Sequence, residues 1–117
     1  MVETSLATRS IVSVHVTLAA RYSALINDYK KGDAYDPLAS NPRLALSNID
    51  WMCRELMQSA SSMPVDKMAR WLGFIQACLA MRGLIEVDDE RDFTRPLFHS
   101  AYAAEGLPYQ TTRVRTE

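Results

Sequence analysis

The residues of this chain best suited to chemistry are arginines with aromatic neighbours. In DKMARWLGF, Arg70 is followed at once by Trp71, Lys67 stands one helical turn earlier, and Arg82 lies further along the same segment. A guanidinium is a planar fork that matches phosphate or carboxylate, and an indole beside it offers a face for stacking. The pattern therefore suits an anionic nucleotide held at a helix or subunit boundary. Arg54, in the preceding apolar segment, can join from a neighbouring helix. The competing reading has Arg70 paired with an acid of the 86–92 stretch and Trp71 filling a core. The sequence leaves open whether Arg70 and Arg82 touch a ligand or belong to structural ion pairs.

A second cluster surrounds His99, with Glu90, Arg91, Asp92 and Arg95 upstream. These types can build a general acid–base site, which would make the chain a small hydrolase, although an acidic first turn followed by arginines is usually a solvated helix face. Arg95 and His99 are retained as ligand-binding candidates that help enclose a polar pocket. Neither His15 nor His99 has a metal partner at helical spacing, whereas zinc takes three or four protein ligands, so no metal and no cofactor is expected. The serines lie outside any nucleophile elbow, and the four glycines stand apart, which excludes a phosphate loop. No residue is assigned a catalytic role, and binding is the expected mode of action.

With 13 basic and 14 acidic residues and a net charge of −1, the chain has no global field to attract nucleic acid or an anionic membrane. A DNA-binding regulator using residues 42–83 as a helix-turn-helix is the alternative that this balance disfavours. Charge is nonetheless uneven. Residues 84–95 concentrate acids, while 64–83 is mildly basic, which suggests complementary docking within or between chains. Cys53 and Cys78 have apolar surroundings and no metal or redox spacing, as expected of buried free thiols in a reducing cytoplasm. No signal peptide or membrane span is apparent.

The elements that must position these groups are helices. Residues 64–83, PVDKMARWLGFIQACLAMRG, carry one stripe of Met68, Leu72, Ile75 and Leu79 and a second of Trp71, Phe74, Cys78 and Met81, which predicts a central helix with two packing partners. Gly73 suits a close approach by another backbone. Apolar positions from Ile11 to Tyr29 predict a helix over 10–31, closed by Lys30, Lys31 and Gly32. Asn41–Pro42 predicts the start of a helix over 42–60, with Asp50, Arg54 and Gln58 on its polar side. A fourth helix is expected over 88–105, capped by Asp88 and kinked or divided at Pro96. The reading is all-α: a single domain over 1–117, a small bundle of about four helices, with a flexible N-terminus (1–9) and C-terminal tail (107–117). A chain of 117 residues with this much apolar surface is expected to form a homo-oligomer.

The run RWLGFIQACLAMRGLIEVDDERDFTRPLFHSAY, residues 70–102, resembles small proteins of tailed bacteriophages and prophages in which an RWLGFIQG-like helix precedes GLI-x-VD-x-ERD-x-TRP-x-FH-x-AY. The likeness weakens through NPRLALSNIDWM, and Ala77 stands where that helix commonly has Gly. The resemblance implies a phage accessory protein in the bacterial host cytoplasm. By analogy of context it implies a counter-defence factor, whose partner is either an anionic nucleotide signal or a bacterial defence protein.

Overall fold

The computed structural model describes residues 10–32 and 35–108. Among them are four helices and no strand: α1 (Ile11–Lys31), α2 (Leu46–Ser59), α3 (Val65–Met81) and α4 (Val87–Ala104). The expected flexible N-terminus and most of the expected tail lie outside the described residues.

The helix around which the others gather is α1, which packs on all three of the rest. Val14, Leu18, Ala19, Tyr22 and Ile26 follow three- and four-residue spacing and are fully buried. Ser10 caps the helix by accepting from the Ser13 amide at 3.0 Å, and Lys30 and Lys31 sit in its last turn. Against α1, α2 buries Leu46, Ile49, Met52, Cys53 and Leu56, and α3 buries Met68, Leu72, Ile75, Cys78 and Leu79. One continuous core results.

Two local expectations change. The second helix begins at Leu46 rather than at 42, because Asn41 folds residues 41–45 into a turn. Its carbonyl accepts from the Leu44 and Ala45 amides, and its side chain accepts from Arg43 N. The fourth helix is capped by Glu86, whose carboxylate accepts from the Asp89 amide at 2.8 Å, and not by Asp88. It runs through Pro96 as one element.

The segment 64–83 is also less enclosed than its composition predicts. The Met68–Leu72–Ile75–Leu79 stripe is buried, but of the second stripe only Cys78 is: Trp71 is half-buried, and Phe74 and Met81 are 37% and 60% exposed. Gly73 is exposed as well, and a Cβ built there meets nothing within 4 Å, so its close approach does not occur within the chain. The cause is α4. It packs on α1 but not closely on α2 or α3, and it buries only Glu90 and Ala101. The outward side of α3 is left uncovered.

Candidate functional site

Three groups of polar side chains stand out, and two of them hold the fold together. The first is built on Arg82, whose side chain is 0% exposed. It donates from Nε to Asp36 Oδ1 at 2.8 Å, from Nη1 to the Cys78 carbonyl at 3.0 Å, and from Nη2 to the Leu44 carbonyl. Asp36 also accepts from Leu46 N at 3.2 Å and so caps α2, whose own N-cap position, Ala45, has no side-chain acceptor. Burial works to raise the Asp36 carboxyl, but Arg82 and the Leu38 and Leu46 amides outweigh it and hold the group below its ordinary range. The loop, the start of α2 and the end of α3 are thus fastened by one guanidinium. Arg82 has its donors turned inward and presents none to a groove.

The second group joins α1 to α4. Arg21 grips the Glu90 carboxylate with Nε and Nη2 at 3.0 and 3.1 Å, the Tyr22 hydroxyl donates to it at 2.7 Å, and Gln76 of α3 donates to the Tyr22 oxygen at 2.9 Å. Burial opposes ionisation of Glu90, yet these donors hold its carboxyl low, while burial pushes the Tyr22 phenol up. Arg21 also lies 4.3 Å from the Phe93 ring centroid. Glu90 is therefore committed to α1. It stands nine positions from His99 on α4, about 13 Å along the axis at 1.5 Å per residue, so Glu90 is not placed to act with His99. Asp50 is likewise buried, accepting from Ser23 at 2.7 Å with Arg54 3.1 Å away, and does not lie on a solvated face of α2 as the pattern suggests.

The third group faces solvent. Trp51 of α2 and Trp71 of α3 meet with ring centroids 5.7 Å apart and planes tilted by 46°. Trp51 is 50% exposed, and Lys67 Nζ lies 5.2 Å from the Trp71 ring. Helical spacing places Lys67 one turn before Trp71, and the packing of α2 on α3 brings Trp51 across. The pair divides two grooves. One, of about 330 Å³, runs past Glu55, Ser59, Ser62 and Lys67; the other, of about 290 Å³, past Arg43, Asn48 and Phe74. Two indole faces, a phenyl ring, an amide and a cation on either side can stack a flat heterocycle and neutralise an anion attached to it.

The sequence-predicted ligand residues do not converge in one place. Trp71 is at this face; Arg70, one position away, is exposed and paired weakly with Asp66 at 3.5 Å. Arg54 is paired with Asp50, Arg82 is internal, and Arg95 and His99 lie on α4. Trp51 and Arg43, which sequence reasoning passed over, are the additions; an indole on the polar flank of the amphipathic α2 was the available signal. Among the described residues no group of three or more His, Cys, Asp or Glu is placed to hold a metal ion, and no helix is long and apolar enough to cross a membrane. The free thiols Cys53 and Cys78 are buried, with burial pushing Cys53 up to about 12. Compared with family models, curated proteins and solved structures, the chain matches none.

Proposed function

We propose that this is a phage-encoded accessory protein acting in the bacterial host cytoplasm by binding rather than catalysis, and that it sequesters a nucleotide signal of bacterial immunity at the Trp51–Trp71 face. The observation that carries the reading is the contact of exposed Trp51 with half-buried Trp71, with a groove and a cation on each side, Lys67 in one and Arg43 in the other. Leaving Trp51 half exposed beside Trp71 is costly unless something covers it. The rings with Arg43 favour a flat, anionic occupant in one groove, while Glu55 offsets Lys67 in the other. Two grooves of similar size suit a ligand with two ring systems, such as a cyclic dinucleotide. The phage setting and the link to immunity rest on the resemblance of residues 70–102 given above.

Other readings receive less support. A helix-turn-helix on α2 and α3 would present to DNA a mainly apolar surface of Gly73, Phe74, Ala77 and Met81, with Arg70 beside them to meet a phosphate. A hydrolase around His99 cannot draw on Glu90, which Arg21 and Tyr22 hold against α1.

Calorimetry and tryptophan fluorescence against a panel of cyclic dinucleotides and ADP-ribose derivatives test the proposal. One of these ligands is expected to bind and to change the indole emission. Trp51→Ala and Trp71→Ala should each lose about 1–3 kcal/mol, as for a stacked base, and Arg43→Ala or Lys67→Ala about 1.5–3 kcal/mol, as for a charge-assisted hydrogen bond. Recovery of the ligand chemically unchanged separates binding from hydrolysis. If no compound of the panel binds, nucleotide sequestration fails, and occlusion of a defence protein by the same aromatic face is the form left to test.

A further inference from the structure

We infer that the uncovered side of α3 is the interface of a two-fold homodimer, in which two α3 helices cross antiparallel near Gly73 and Ala77 and Arg70 of each copy meets the acidic start of α4 in the other. The surface begins with a row of outward residues on α3. Helical spacing puts Arg70, Gly73, Phe74, Ala77 and Met81 on the side opposite the buried stripe, and all five are exposed. Beside them α3 and α4 part to leave a cleft of about 280 Å³, lined on its apolar side by Ala77, Ala80, Ile85 and Val87, with Val87 itself 54% exposed. A continuous apolar area of this kind, centred on residues too small to hold a second helix away, is what closely packed helices bury.

The charges decide what covers it. An isologous interface must complement itself when turned by 180°, and this face does. Its apolar centre has a cation, Arg70, towards one end of α3; beyond the other, the exposed acids Asp88 and Asp89 outnumber Arg91, which lines the cleft. No ion pair within the chain engages either acid among the described residues, and Arg70 holds only the exposed Asp66, a pair of little worth that exchanges readily. In the antiparallel arrangement Arg70 stands opposite the C-terminal end of the other α3, beside which α4 begins. A parallel pairing would instead set Arg70 against Arg70. The same antiparallel turn brings the two Phe74 rings together near the axis, where an aromatic pair adds to the burial.

Phe74 also lines the Arg43 groove, so the test uses the full chain without ligand and variants that leave Phe74 unchanged, which reads the dimer apart from nucleotide binding. Sedimentation equilibrium is expected to show a dimer in the micromolar range. Ala77→Glu alters an exposed position and should leave helicity intact while weakening the dimer about 100-fold or more, since it buries an unpaired charge. Arg70→Asp and Asp88→Arg,Asp89→Arg should each weaken it, and combining them should restore most of the loss. A wild-type monomer at the highest soluble concentration would overturn the inference. So would a dimer indifferent to Ala77→Glu, or charge reversals whose effects merely add.

Discussion

At the scale of single residues, the chain separates arginines that look alike in sequence. Arg82, at the C-cap of α3, and Arg70, within it, both have apolar neighbours, yet the first is internal and triply bonded and the second stands in solvent. Removing Arg82 leaves the Asp36 carboxylate and the Leu44 carbonyl without their donor, so Arg82→Ala should cost about 3–5 kcal/mol. Arg82→Lys should recover little, because an ammonium cannot serve three acceptors set out for a fork. Arg70→Ala should leave the urea midpoint almost unmoved in a monomeric sample. A stable Arg82→Ala protein would remove the fastening role assigned here.

Acid sensitivity belongs to the same scale. His15 is buried against the Phe98 ring, and its Nδ1 lies 2.9 Å from the Ile11 carbonyl, which can only accept, so that nitrogen carries the proton. Burial lowers its pKa, with the Ile11 bond opposing. The unfolded chain then protonates first, and stability should start to fall as pH drops below about 6.5, the ordinary histidine value. Asp36 and Glu90 are held below their ordinary range, so their contribution is complete above it and is lost at lower pH, as pH falls through the depressed folded values. Denaturation midpoints against pH should therefore decline in two stages, and His15→Gln should abolish the upper one alone. A decline confined to the carboxylate range in the wild type would contradict a buried neutral His15.

At the scale of the element, α3 is two surfaces on one helix. Leu72→Ala or Ile75→Ala opens the core and should cost about 2–5 kcal/mol. Gly73→Ala places a methyl group where nothing stands within 4 Å, and should raise monomer stability by about 1 kcal/mol through helix propensity alone. Opposite signs from neighbouring positions would confirm which side is packed; destabilisation by Gly73→Ala, measured at concentrations too low for association, would mean that a backbone does approach there. The fourth helix is the contrasting case. Its own sequence is amphipathic, but it rests on α1 through the Glu90 clasp, the His15–Phe98 contact, Ala101, and the Ile11 amide that donates to Glu105 at 2.7 Å.

At the scale of the whole molecule, stability should follow that hierarchy. Amides in the middle of α1, surrounded by the three other helices, should exchange with solvent only on global unfolding, whereas those of α4 should exchange through a cheaper local opening. Glu90→Gln, which removes the charge that Arg21 grips, should accelerate exchange in α4 more than in α2. Uniform protection across the four helices would show that α4 is held as firmly as the rest.

The sequence by itself determined the helices. Three- and four-residue apolar spacing, Gly32, the Lys30–Lys31 end and the breaks near 60–64 and 82–86 are local signals, and the four elements match them within a turn at their ends, widest at the start of α2. The core stripe Met68–Leu72–Ile75–Leu79 was legible for the same reason. Only the tertiary structure decided which helix is central, because composition counts apolar residues without knowing whether a neighbour covers them; α3 has the greater apolar content, but α1 has neighbours on more sides. It likewise decided the fate of the charges. Asp36 and Arg82 are 46 positions apart, Tyr22 and Glu90 are 68, and Ser23 and Asp50 are 27. No periodicity within one helix connects groups at such separations. Trp71 was visible as a candidate on its own helix; that Trp51 stands beside it, and makes of the two a face with a groove on either side, depends on how α2 lies on α3.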